Sequence, residues 1–178
     1  EEHPSKAIIT MSDLLFQEQK LLGYYRKGIL LDTGPLLLLL VGKYDHNYIQ
    51  HYSKLKGQSQ ETFQNLENFA KKFNKIIITP HVLAELSDMA NDMPQRRCRD
   101  FLKECVQQLE RFNEVTIEKD LIIKQAQFPE FGVTDTGIAI ACEQQYREFL
   151  PVVQDAGLRQ HLEDKGIDYV NFWSVILS

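Results

Sequence analysis

An α/β fold is what this 178-residue sequence predicts: a parallel sheet of four to five strands with helices on both faces. Three features lead there. Short leucine-rich or β-branched runs alternate with longer helical segments, the pattern of strands joined by helical crossovers. The first two runs pass straight into Thr-Gly-Pro or Thr-Pro, a helix start with proline near the first turn. The runs are apolar at successive positions, as strands covered on both faces should be.

Residues 1–10, EEHPSKAIIT, look unlike the remainder and precede Met11, so the native chain is expected to start at MSDLL. A helix is expected over Ser12–Lys27. Gly28–Asp32 (GILLD) reads as the first strand, bounded by Gly behind and Thr-Gly-Pro ahead. The leucines from Leu36 are apolar on every side, which implies a helix buried nearly all round, with Gly42 expected to end it. Helices are expected over His46–Leu55 and Gln60–Lys72, separated by Gly57-Gln58-Ser59. Lys75–Pro80 (KIIITP) repeats the first arrangement: a strand, Thr79 as cap, Pro80 at the first helical position, then HVLAELSDMAND. A long helix is expected over Pro94–Phe112 and a third strand over Val115–Glu118. Helices over Lys119–Gln127 and Thr136–Arg147 then lead to a fourth strand, Phe149–Val153, where Pro151 suggests irregularity or a sheet edge. A helix over Gly157–Lys165 and a strand over Asp168–Phe172 complete the series.

The whole chain, 1–178, reads as one domain, with residues 43–75 and 94–112 as helical elaborations. Hydrophobic content of 43% and charged content of 25% are ordinary for a globular protein. Cys98, Cys105 and Cys142 form neither a disulfide framework nor a Cys-x-x-Cys zinc motif; a reducing cytoplasm is expected. The uninterrupted apolar run Leu36–Val41 is far too short to span a membrane, and no signal peptide is evident. A net charge of −5 counts mildly against nucleic-acid binding. Four carboxylates reserved for a metal would hide most of that balance, and basic clusters do exist, above all Arg96, Arg97, Arg99 and Lys103.

The lone acid in ILLDTGPLLLLLVG is the informative residue, because an unpaired charge in so apolar a setting is costly. Ligands of parallel sheets bind off the carboxyl ends of the strands, and Asp32 ends its strand. Glu85, Asp135 and Asp155 hold comparable positions: early in the helix after the second strand, at the start of Thr136–Arg147, and just after the fourth strand. Asp32, Asp135 and Asp155 are each well placed as helix caps; Glu85 lies too far inside its helix to cap it. Four acids facing one cleft repel unless a hard divalent cation offsets them, and such ions take oxygen ligands. Metal-carboxylate sites of this kind serve phosphodiester hydrolysis. Asp88 shares a helix face with Glu85 as an accessory or merely exposed acid.

The strings ILLDTGPLL, ITPHVLAELS, GVTDTGIAIA and PVVQDAGLRQHLEDKGIDYVNF, in that order, resemble the PIN-domain ribonucleases, a family that includes the VapC-type toxins of bacterial toxin–antitoxin pairs. The resemblance runs from about Gly28 to Trp173. It implies a PIN-like parallel sheet and an Mg²⁺- or Mn²⁺-dependent endoribonuclease whose products end in a 5′-phosphate and a 3′-hydroxyl. It also implies Asp32, Glu85, Asp135 and Asp155 as catalytic and metal-binding residues. RNA as substrate, an antitoxin protein and a homodimer are the partners it implies. Arg96, Arg97, Arg99 and Lys103 are the candidates for phosphate contact. Two positions depart from the family pattern: Gly34 where a Ser or Thr is frequent, and Val153 where a Thr often stands. Hydroxyl support would then come from Thr33 or Thr134. Those departures keep open a catalytically weak PIN-like module that binds RNA or protein. An aspartyl phosphatase of the haloacid dehalogenase kind would need a second acid at position 34, and a dinucleotide fold would need G-x-G-x-x-G; neither is present.

Overall fold

The computed structural model describes residues 21–176; the unusual first ten residues and most of the Ser12–Lys27 helix lie outside them. Five parallel strands form one sheet in the order β3-β2-β1-β4-β5. They are β1 (Ile29–Leu31), β2 (Ile76–Ile78), β3 (Asn113–Glu114), β4 (Leu150–Val153) and β5 (Val170–Asn171). Strand β1 lies at the centre, with Ile29 opposite Ile76 on one side and Leu150 on the other. All three of its side chains have no exposed surface. Successive strand residues point to opposite faces, so both faces of the sheet are covered.

After β1 comes α1 (Thr33–Asp45), buried from Pro35 through Gly42 as its all-round apolar sequence requires. It does not stop at Gly42. A β-carbon there would collide with the Phe63 ring, so this glycine is a contact point inside the helix. Phe63 belongs to α2 (Gln60–Ala70), which starts on a capping box formed by Ser59 and Thr62. Between α1 and α2, the helix expected over His46–Leu55 is instead two 3₁₀ turns, His46–His51 and Ser53–Leu55. After β2, α3 (Pro80–Ala90) begins as the sequence indicates: Thr79 Oγ1 accepts from the Val82 N–H at 3.3 Å and Pro80 opens the helix.

Helix α4 (Gln95–Leu109) buries Phe101 and Cys105 on one face. The third strand falls two residues earlier than expected and is shorter. Strand β2 offers a partner only as far as Ile78, which pairs with Glu114. The Val115 N–H still reaches the Ile78 carbonyl, after which Ile117 drops into the core from a loop. Next come α5 (Lys119–Ile123) and α6 (Phe128–Gln144), which contains a break at Gly132, φ 70° and ψ −166°. The expected helix start at Thr136 therefore moves back to the residue after this glycine, which adopts a conformation closed to most residues. Helices α7 (Ala156–Asp164) and α8 (Phe172–Ile176) close the described chain.

Pro151 is not at an edge, because β4 pairs with both β1 and β5. The Leu150 N–H bonds the carbonyl of Gly28, the residue before β1, so the next residue's nitrogen faces the other way, towards β5. Pairing with β5 begins only at Val152, and the missing N–H of Pro151 has no ladder position to vacate. One continuous apolar core unites the sheet with the helices on either side. Among the described residues, no helix is long and apolar enough to cross a membrane.

Candidate acidic active site

The strand order reverses between β1 and β4: β2 and β3 extend one way from β1, β4 and β5 the other. The crevice at the carboxyl ends of two such strands is the favoured ligand position in open α/β sheets. Asp32 directly follows β1 and Asp155 lies two residues after β4, so both stand at this crevice. Helix α3, leaving the neighbouring strand β2, presents Glu85 in its second turn. Helix α6 packs against both α3 and α7 and brings Asp135, three residues past the Gly132 break, to the same place.

Asp32 is 6% exposed. Its Oδ1 accepts from the Thr33 N–H at 2.6 Å and its Oδ2 from the Gln154 N–H at 3.0 Å. Burial raises its pKa, these backbone donors pull it down, and the Glu85 charge raises it again. Glu85 is half-buried, and its Oε2 accepts from the Thr33 hydroxyl at 2.8 Å. One Thr-Asp pair thus orients two acids from segments 52 residues apart.

Asp135 is half-buried and its pKa is pushed up to about 7, first by burial and then by the charges of Asp32, Asp155 and Glu85. The charges of three acids on three other segments therefore act on the Asp135 carboxyl group. Asp135 does not cap a helix as its sequence position suggested; it lies in the first turn after the break. An acid there is favourably placed in the helix dipole. Asp155 is exposed and does cap α7, its Oδ1 accepting from the Leu158 N–H at 2.8 Å. Among the described residues, no lysine or arginine forms an ion pair with any of the four.

Arg159 stands beside Asp155, but its Nε donates to the Asp155 backbone carbonyl at 3.2 Å and not to the carboxylate. Carboxylate oxygens without an ion-pair partner among the described residues form a donor set suited to a hard divalent cation. Among the described residues, however, no three Asp, Glu, His or Cys side chains stand as a ready-made ligand group. Oxygens of Asp32, Glu85 and Asp155 are each turned to a protein donor. A carboxylate oxygen retains a second lone pair when it accepts one bond, so these acids keep ligand capacity.

The remaining sequence-predicted residues scatter. Thr33 touches the acids; Thr134 is half-buried, and its hydroxyl bonds none of them among the described residues. Asp88 is exposed, and its charge acts on Lys54. Arg97 is committed elsewhere: it pairs with Asp45 at 2.9 Å and lies 4.1 Å over the Tyr48 ring. Asp45 ends α1, twelve residues beyond Thr33. At 1.5 Å per residue, that is roughly 18 Å from the acids. Arg96, Arg99 and Lys103 are exposed on the same helix, α4.

Sequence reasoning missed Gln154. Its N–H holds Asp32, and its side chain occupies the space over Gly34, where a β-carbon would collide with its Oε1. The signal was the absence of any side chain at position 34 in a helix start, which leaves room for a neighbour. His81, one turn before Glu85, packs against Gly137 of α6, with its Nδ1 buried and unpartnered among the described residues. No protein-family model and no curated protein matches this chain.

Proposed function

We propose that this chain is a divalent-metal-dependent endoribonuclease of the PIN type, hydrolysing RNA phosphodiester bonds. The observation that carries the reading is the meeting of Asp32, Glu85, Asp135 and Asp155 at the point where strand order reverses, with their charges acting on one carboxyl group. Acids whose charges act on one another without an ion-pair partner among the described residues are unfavourable in the protein alone, which supports a site built to take a cation.

Those four residues would hold Mg²⁺ or Mn²⁺, which when bound supplies Lewis acidity toward a phosphate and charge that offsets the carboxylates. The chain's own part is orientation. Two backbone N–H groups fix Asp32, and the Thr33 hydroxyl fixes Glu85. Asp135 retains a proton to about pH 7, which it must release to act as a ligand. RNA is the substrate of this reading. A role as the toxin of a toxin–antitoxin pair, with a neutralising antitoxin, a second copy of the chain as partners and a cytoplasmic location, belongs to the same proposal.

A second reading is a PIN-like module that binds RNA or protein without cutting. It is favoured by the hydrogen bonds that already occupy three of the four carboxylates and by the lack of a ready-made ligand group among the described residues. Incubation of purified protein with total RNA and Mn²⁺, with Asp32→Asn beside it, separates the two. Cleavage by the wild type alone, at ends bearing 5′-phosphates, supports the nuclease. No cleavage beyond that of Asp32→Asn supports the module.

A further inference from the structure

Gln154 links the strand β4 edge to the start of α1 through both its backbone and its side chain. Its N–H donates to Asp32 Oδ2 at 3.0 Å. Its carboxamide reaches across the crevice and lies against Gly34, with Cδ 2.8 Å from where a β-carbon of that residue would stand. Gly34 occupies the first turn of a helix, where glycine costs roughly 1 kcal/mol against alanine and nothing about the backbone requires it. Its value is the space it leaves for the Gln154 carboxamide.

That carboxamide is a neutral group on the residue whose N–H holds Asp32. Oε1 faces Gly34, Nε2 stands farther off at 3.6 Å from the same point, and Nε2 makes no hydrogen bond among the described residues. A phosphodiester entering here meets four carboxylates and, among the described residues, no lysine or arginine paired with them. The Thr33 hydroxyl is spent on Glu85. The N–H groups of Thr33 and Gln154 are spent on Asp32. An anionic oxygen needs a donor, and the NH₂ of Gln154 is an unspent one on the residue that holds Asp32; Arg159, whose Nε donates to the Asp155 carbonyl at 3.2 Å, brings a cation to the Asp155 side.

We infer that Gln154 is a substrate-contacting residue, its carboxamide NH₂ donating to a nonbridging phosphate oxygen of the RNA strand, with Gly34 kept side-chain-free to seat it. This inference rests on the nuclease reading. It separates substrate contact from metal binding, because the Gln154 backbone holds Asp32 while its side chain serves the strand.

The test is a two-residue cycle measured two ways: RNA cleavage kinetics with Mn²⁺, and binding of a short fluorescent single-stranded RNA with Ca²⁺ in place of Mn²⁺. Gln154→Ala should raise KM and the RNA Kd about tenfold, the loss expected of one hydrogen bond to a charged group. It should leave kcat and Mn²⁺ affinity within about twofold, the uniform-binding pattern. Gly34→Ala should fold normally, since alanine suits a helix and only the mobile tip of a glutamine must move, and should give the same loss by evicting the carboxamide. The double variant should be no worse than either single one. Equal KM and Kd in wild type and Gln154→Ala would overturn the inference while leaving the nuclease intact, as would single losses that add in the double variant. A wild-type protein without saturable Mn²⁺ binding overturns the nuclease reading, and the role of Gln154 with it.

Discussion

Replacing Asp135 by asparagine should make the metal-free protein more stable at pH 8. The Asp135 carboxyl titrates near 7 in the folded chain against an ordinary 3.8. Between those values the folded state binds a proton that the unfolded chain has released, so stability falls as pH rises through that window. The shift amounts to about 4 kcal/mol if unscreened, and roughly 1–2 kcal/mol once solvent reaches a half-buried group. Asparagine keeps the shape and removes the titration. Urea unfolding with a chelator present, at pH 5 and pH 8, reads the difference. The wild type should lose roughly 1–2 kcal/mol more than Asp135→Asn between the two pH values. In a chain of this size that is about 2–8 °C in Tm. Excess Mn²⁺ should restore the wild type at pH 8 by mass action and leave the variant little changed. An identical pH dependence in both proteins would refute the reasoning, because it would mean that burial and the neighbouring charges do not raise the Asp135 pKa.

Other substitutions probe the supports of the site. Thr33→Val removes the hydroxyl that holds Glu85, and should weaken Mn²⁺ binding about tenfold by calorimetry with a small change in Tm. Asp155→Asn retains a capping oxygen for α7 and should cost little stability, whereas Asp155→Ala should cost about 1 kcal/mol in urea unfolding. Gly42→Ala should destabilise by about 1–3 kcal/mol despite alanine's better helix propensity, because the Phe63 ring fills that space. Arg97→Ala should cost up to about 1 kcal/mol through loss of the Asp45 pair and the Tyr48 stack, and leave single-turnover cleavage of a short RNA unchanged.

The parts of the fold that were legible in the sequence are those where one local signal faces no competitor. ILLD and IIIT could only be short buried strands, and Thr79-Pro80 only a helix start. The carboxyl-edge position of Asp32 followed from that placement. The errors came where tertiary contacts overrule local pattern. Gly42 looked like a terminator and is a seat for the Phe63 ring. Pro151 looked like an edge marker, yet its nitrogen faces a stretch where β5 has not begun. VTIE had the right composition for a strand, but β2 runs out of partners at Ile78. Asp135 was placed at the right helix with the wrong start, since Gly132 and not Thr136 sets the break. The Gln154–Gly34 contact joins residues 120 apart, and no local window contains it.

The central claim is that the carboxylates of Asp32, Glu85, Asp135 and Asp155 act together on a single divalent cation site. Titration of Mn²⁺ into the protein at pH 8, with free ion read by electron paramagnetic resonance, tests it most directly. The account predicts saturable binding by the wild type, weakened in Asp155→Asn and lost in Asp32→Asn, Glu85→Gln and Asp135→Asn. Saturation unchanged across all four variants, or no saturable binding by the wild type, would contradict it.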